Sequence, residues 1–342
     1  MMIKNKVWLL LDSRHGGGIE SHVQQLAEGL QQHKKQVEVV FLTDYGQHPM
    51  RDALTKQGIT NRTLNGKFLT LCLTLKIERP YVLHTHGYKA GIFGRIAAWL
   101  MKIPSISTYH AGEIATGKLV FYDWLDRLTA PFSSKNIAVS PQIAARLSSK
   151  VDIFNNFVNT RGLSDSKGSQ VAFVGRVSIE KGPDYFMTLA NNFPNIDFHL
   201  YGEGPMLKEL KLTNQENLKF HGQQHDMSKA WLKIGLLVMP SRFEGLPMAA
   251  LEAMARAIPV IAFNVGALDK LIKPGVNGWL VEANNIEQLS LHIEQWDHLT
   301  QKQKSALQLA CKHTIRERFS SDIAIPKLIE TYREVSNKVE QS

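Results

Sequence analysis

Two glutamates, Glu244 and Glu252, stand eight residues apart in SRFEGLPMAALEAMARAIPVIA (241–262), separated by a glycine, a proline and several alanines. The preceding GLLVMPS (235–241) reads as a strand, and Pro247 suits the first position of a helix. Glu244 is then expected in a strand-to-helix loop and Glu252 inside the helix, near its second turn. The small side chains of Ala249, Ala250, Ala253 and Ala255 would let that helix lie close to its neighbours. The amides of Gly245, Leu246 and Met248 fall near the helix start, where helical acceptors are missing. Such amides bind anions, phosphate above all. Carboxylates beside them would accept from sugar hydroxyls, so the combination suits a nucleotide sugar. Taken alone, the same acids also fit a helix-dipole role for Glu244 and a solvated helix face for Glu252.

A second group lies in VAFVGRVSIEKGPDYF (171–186), where Arg176 and Lys181 follow a strand and precede a helix near Pro183. Arginine can hold two phosphate oxygens at once and lysine adds a mobile charge, a pairing suited to a diphosphate. In a leaving-group role both would stabilise the charge that develops on it. An ordinary solvated pair is the alternative. His84 and His86 alternate along YVLHTHG (81–87) and so share a face. A metal pair is conceivable there, but no third ligand is evident from the sequence, and an acceptor-side or structural role for His86 is the expectation.

The elements that must position these residues alternate regularly. Strand-like runs at 6–12, 37–42, 81–87, 104–110 and 137–140 are separated by helical patterns, as expected for a parallel sheet with crossover helices. The polar stretch NTRGLSDSKGSQ (159–170) interrupts the pattern and reads as a linker. Alternation resumes at 171–175, 197–202, 218–222, 235–241, 259–264 and 278–282, and the tail from about Phe319 reads as a terminal helix. The expected fold is therefore α/β, with two doubly wound domains at 1–163 and 164–318, followed by a helix over 319–342 returning to the first. In such sheets ligands sit at the carboxyl ends of strands, over the topological switch point, and a cleft between the domains is the default site.

The 342 residues suffice for two ordinary domains. Two distant cysteines, Cys72 and Cys311, form neither a disulfide framework nor a metal cluster, and fit a reducing cytosol. The N-terminal apolar run is too short for a signal core or a membrane span. The net charge of +9 lies wholly in the N-terminal half: twenty Lys and Arg face eleven Asp and Glu over 1–163, against twenty and twenty over 164–342. A basic half suggests membrane lipid, nucleic acid or a phosphorylated substrate, or a merely soluble surface.

Together these segments resemble the retaining glycosyltransferases of family 4, the glycosyl transferases group 1, which have the GT-B fold. GGGIESHVQQLAEGL (16–30) resembles the family's Gly-Gly loop and helix. FVGRVSIEKGPDYF resembles its diphosphate segment, and PSRFEGLPMAALEAMARAIPVIAFNVGALDKLI its paired-glutamate segment. YGEGP (201–205) and FHGQ (220–223) follow the same order. The resemblance implies that Glu252 holds the donor ribose and Glu244 the transferred sugar. It lines sugar and phosphate with Gly245, Leu246, Pro247 and Met248, and gives the diphosphate to Arg176 and Lys181. Gly17 and Gly18 would let backbone approach the diphosphate, and His110 would face the transferred sugar. The triple glycine departs from the family's usual pair and leaves the register of that loop open by one residue.

The implied reaction moves a hexose or N-acetylhexosamine from a nucleotide-diphosphate sugar, UDP before GDP, to a sugar or lipid-linked acceptor in cell-surface polysaccharide or lipopolysaccharide synthesis. The anomeric configuration is retained, and neither a cofactor nor a metal is expected. No covalent nucleophile stands out, unlike the carboxylate pair of a retaining hydrolase. Same-face attack by the acceptor hydroxyl is therefore expected. Lys89, Arg95, Lys102, Lys118 and Arg127 accompany apolar residues in YKAGIFGRIAAWLMK and GKLVFYDWLDRL. That mixture would suit an anionic bilayer at the cytoplasmic face of the inner membrane, or a helix core. A dehydrogenase needs Gly-x-Gly-x-x-Gly, which HGGGIES does not supply. No nucleic-acid module is recognisable. A nucleotide-sugar epimerase on the same fold, or a non-catalytic donor-binding homologue, are the alternatives.

Overall fold

The computed structural model describes residues 6–110, 117–147, 150–213, 215–224 and 226–340. It divides into two units, Met1–Asn159 with Ser321–Ser342, and Thr160–Ser320.

The first unit runs β1 (Lys6–Leu11), α1 (Gly18–Gln32), β2 (Gln36–Phe41), α2 (Pro49–Lys56), β3 (Thr60–Thr63), α3 (Phe68–Glu78) and β4 (Val82–His86). It continues through α4 (Tyr88–Met101), β5 (Ser105–Tyr109), α5 (Lys118–Leu128), β6 (Lys135–Ala138), α6 (Pro141–Ala144) and β7 (Val151–Ile153). The second unit contains β8 (Gln170–Val174), α7 (Pro183–Asn192), β9 (Phe198–Tyr201), α8 (Leu207–Lys211), β10 (Leu218–Gly222), α9 (Ser228–Trp231) and β11 (Ile234–Met239). It closes with α10 (Met248–Ala255), β12 (Val260–Phe263), β13 (Gly278–Val281), α11 (Ile286–Asp297) and α12 (Gln301–Arg318). The last helix, α13 (Ser321–Glu340), belongs to the first unit.

Both sheets are parallel. Their orders are β3-β2-β1-β4-β5-β6-β7 and β10-β9-β8-β11-β12-β13. Chain direction across the sheet reverses between β1 and β4 in the first and between β8 and β11 in the second, so each unit has a switch point where ligands bind in such folds. Central strands are buried nearly throughout, which is why KVWLLL and IGLLVM are continuous apolar runs rather than alternating ones. On α1, Val23, Leu26, Ala27 and Leu30 form the helical apolar stripe. They share a core with Ile325, Leu328, Ile329 and Tyr332 of α13.

Differences from expectation have local causes. Strands β3 and β7 were not expected. TNRT is polar and VDI is only three residues, and both stand at or near sheet edges, where no apolar run is needed. The breaks between units fall at Asn159/Thr160 and Ser320/Ser321 rather than 163/164 and 318/319. The Ser321 amide donates to the Val158 carbonyl at 2.9 Å, tying that junction to the first unit. Nor is all of 159–170 a linker: the Ser166 hydroxyl donates to the carbonyl of Ile234 at 2.6 Å.

Candidate functional site

In the second unit, the loops after β8, β9, β11 and β12 converge. Lys181 Nζ and Glu244 Oε2 are 2.8 Å apart, joining the loop after β8 to the loop after β11. The Glu244 side chain is 5% exposed and the Lys181 side chain 23%, so a desolvated acid is paired where water is scarce. Arg242 strengthens the same joint. Its guanidinium donates to both carboxylate oxygens of Asp184 at 2.9 and 2.6 Å and to the Ile179 carbonyl at 2.7 Å, and it covers the Tyr185 ring. Burial raises the Asp184 pKa, but the Arg242 bonds outweigh it and hold the carboxyl below its ordinary value. Gly182, at φ +66°, lies so close to the Pro240 carbonyl that any Cβ would collide with it. Gly202 of YGEGP approaches the Gly175 carbonyl as closely, and the Val177 amide donates to the Glu203 carbonyl at 2.8 Å.

Helix α10 starts at Met248, one residue later than expected: Pro247 has extended φ and ψ and occupies the cap position. No side chain caps this end, so its first-turn amides lack intrahelical acceptors. Leu246 and Met248 are buried, Gly245 and Pro247 half-buried. The Gly245 carbonyl accepts from the Ala267 amide at 2.8 Å. Glu252 is half-buried, and its backbone carbonyl accepts from Arg256. Arg176 is the outlying cation: its side chain is 65% exposed and stands 3.9 Å from Glu180. The structure therefore joins Lys181 directly to Glu244, places Gly245–Pro247 in the same loop with Met248 opening α10, and leaves the Arg176 side chain exposed after β8.

The two glycines and His110 belong to the first unit. Gly17 precedes α1, and a Cβ added at Gly18 meets nothing within 4 Å, so backbone is open there. His110 follows β5 and is not alone. Its Nε2 lies 3.1 Å from Nδ1 of His86, the last residue of β4, and its ring centroid lies 4.7 Å from that of His22 on α1. His84 is occupied on both nitrogens, by Tyr332 Oη at 2.8 Å and Thr108 Oγ1 at 2.7 Å. Burial lowers the pKa of all four, His22 to about 4, His84 to about 3, and His86 and His110 well below the ordinary value. His22 was missed in the sequence. The available signal was a histidine among Val23, Leu26 and Ala27 on a buried helix stripe. Arg95, expected on a basic surface, is instead 1% exposed and paired with Asp126 at 2.6 Å. The side chain of Lys118 lies outside the described residues.

The family model Glycosyl transferases group 1 matches residues 158–311, and Glycosyltransferase Family 4 matches residues 16–161. The chain belongs to this glycosyltransferase family. Its two Rossmann-like units are those of the GT-B architecture. Among curated relatives, this glycosyltransferase is 28% identical over 258 residues to the UDP-Gal:alpha-D-GlcNAc-diphosphoundecaprenol alpha-1,3-galactosyltransferase of Escherichia coli, covering 64% of this chain and 67% of the other. It is 35% identical over 115 residues to the O-antigen biosynthesis glycosyltransferase WbnH of Escherichia coli, covering 33% of each. The crystal structure of Anabaena HepE in complex with UDP-glucose matches with a TM-score of 0.83 at 18% identity, covering 96% of this chain and 100% of the other.

Proposed function

We propose that this glycosyltransferase transfers a hexose or N-acetylhexosamine from a UDP-sugar, with retention of configuration, to a sugar or lipid-linked acceptor in cell-surface polysaccharide or lipopolysaccharide synthesis. The observation that carries the reading is the Lys181–Glu244 pair at the switch point of the second unit, beside the uncapped start of α10. Lys181 and Arg176 meet the diphosphate, aided by the α10 amides. Glu244 accepts from hydroxyls of the transferred sugar and Glu252 from those of the ribose. Gly245, Leu246, Pro247 and Met248 line the donor. In the first unit, Gly17, which sits against the Glu20 carboxylate, and Gly18, where the backbone is open, offer main chain to the diphosphate, and His110 faces the sugar. The E. coli relative named for UDP-Gal and a diphosphoundecaprenol acceptor, and the UDP-glucose complex of HepE, support this choice of donor and acceptor class.

In the proposed step the bond between the anomeric carbon and the diphosphate oxygen breaks, leaving oxocarbenium character on the sugar. The acceptor oxygen attacks from the face the diphosphate leaves. Its proton passes to an oxygen of that phosphate, so no covalent protein intermediate forms. Lys181 and Arg176 stabilise the charge gained by the leaving group, and no metal is assigned to the step. The test is a product assay with UDP-sugars and a lipid-diphosphate acceptor, the anomer read by NMR. Lys181→Ala is expected to lower kcat on the order of a hundredfold. Rates near wild type for both Lys181→Ala and Arg176→Ala remove these cations from the mechanism, and an inverted product removes same-face attack.

The acceptor reading includes attachment to an anionic membrane surface. No helix among the described residues is long and apolar enough to cross a membrane. Helices α3, α4 and α5 pack side by side and carry exposed Leu69, Leu73, Ile77, Trp99, Phe121, Trp124 and Leu128. Phe121 and Trp124 stack, with ring centroids 6.1 Å apart. Exposed apolar groups on a unit with a positive net charge suit an anionic bilayer.

A further inference from the structure

The histidine cluster of the first unit contains more donor atoms than hydrogen bonding uses. His22, His86 and His110 come from α1, the end of β4 and the residue after β5, and each offers a ring nitrogen within 4.8 Å of the other two. His22 and His86 are each 3% exposed or less. His86 Nε2 and His22 Nδ1 are buried without a hydrogen-bond partner. An orphaned buried nitrogen is costly, and the one on His22 lies in a cluster with two further imidazoles. His84 is excluded from the set, because Tyr332 and Thr108 hold both of its nitrogens.

We propose that His22, His86 and His110 form a three-imidazole site for a divalent transition-metal ion of the zinc class. The donor set decides the class: three neutral nitrogens suit zinc, cobalt, nickel or copper, whereas magnesium and calcium require oxygen. Three histidines with one position left open is an established zinc arrangement. Zinc–nitrogen bonds of about 2.0–2.1 Å place tetrahedral ligand atoms roughly 3.3 Å apart. The His86–His110 pair already spans 3.1 Å, and a His22 nitrogen lies within 4.8 Å of both, so closure needs the His22 nitrogen to approach. The ion would take His86 Nδ1 and His110 Nε2 in place of their mutual hydrogen bond, and a nitrogen of His22, whose Nδ1 is buried without a partner, would complete the set. If His110 faces the transferred sugar, as the function proposed above holds, metal occupancy excludes that contact, and zinc acts as an inhibitor rather than a cofactor.

The test uses the full chain without donor, so its outcome does not depend on the transfer reaction. Protein stripped by chelator is dialysed against zinc chloride, and bound zinc is measured together with its X-ray absorption spectrum. One equivalent retained with three imidazole nitrogens at about 2.0 Å is expected, and His22→Phe, which keeps an aromatic ring in the same space, is expected to lose it. An oxygen-dominated shell, no retained zinc, or full retention by a folded His22→Phe protein would overturn the site. The wild-type spectrum decides alone if the variant does not fold. If stoichiometric zinc binds as described and leaves transfer unaffected, the site stands and the proposed contact of His110 with the sugar falls.

Discussion

Glu244 and Glu252 have the same side chain and different environments, and the roles proposed for them differ accordingly. Glu244 is buried against Lys181, so its carboxylate is oriented by a charge and presents its remaining lone pairs in a fixed direction. Glu252 is half-buried on α10, and its carboxylate would accept from two adjacent ribose hydroxyls. A hydrogen bond to a charged group contributes about 1.5–3 kcal/mol. Glu252→Gln is therefore expected to weaken donor binding roughly tenfold to a hundredfold while leaving binding of a free sugar acceptor unchanged, as read by titration calorimetry. An unchanged donor Kd would remove the ribose assignment. The sequence made these acids legible because strand, proline and small-residue helix fix the loop between them. It did not make His22 legible. Its partners His86 and His110 are distant in sequence, and a histidine on an apolar stripe carries no mark of what faces it.

At the scale of elements, the loops after β8, β9 and β11 are held by main-chain proximity, by the Lys181–Glu244 pair and by Arg242. Gly182 and Gly202 let the β8, β9 and β11 loops touch backbone to backbone, and Arg242 bonds Asp184 at the start of α7. Asp184→Asn is expected to raise the donor KM several-fold, with a stability change of about 1 kcal/mol or less, because the pair is partly exposed and screened. The pH dependence follows from the lowered carboxyl pKa. The clamp's contribution is fully present above the unfolded aspartate value of about 3.9 and is lost only as pH falls through the still lower folded value. Thermal melts of wild type and Asp184→Asn should thus differ by a constant amount from pH 5 to 8. A difference that vanishes at pH 5 would contradict the ion pair. Strands with continuous apolar runs were legible for the same reason that they are central. The short edges β3 and β7 were not, since an edge strand needs little burial. Arg95 was misplaced because an arginine in a helix reads as solvated until its partner Asp126, in another helix, is known.

For the molecule as a whole, charge and chain path were only partly readable. The excess of basic residues over 1–163 is plain in the sequence, but the exposed stripe Leu69, Leu73 and Ile77 on α3 was not, because an apolar helix reads as buried by default. Vesicle flotation addresses that surface directly. Binding to anionic vesicles that falls with salt, and falls further in Phe121→Ser/Trp124→Ser, is expected. Binding that is absent, or independent of lipid charge, would contradict attachment through this unit. The central claim, that the loops of the second unit hold a nucleotide-diphosphate sugar through Lys181, Glu244 and Glu252, is tested most directly by thermal unfolding against a panel of nucleotide sugars. A ligand at about a hundred times its Kd stabilises the native state by roughly 2.7 kcal/mol. A concentration-dependent rise in Tm with a UDP-sugar, abolished in Lys181→Ala, is the expected result. No rise with any nucleotide sugar, or an equal rise in the variant, would contradict the claim.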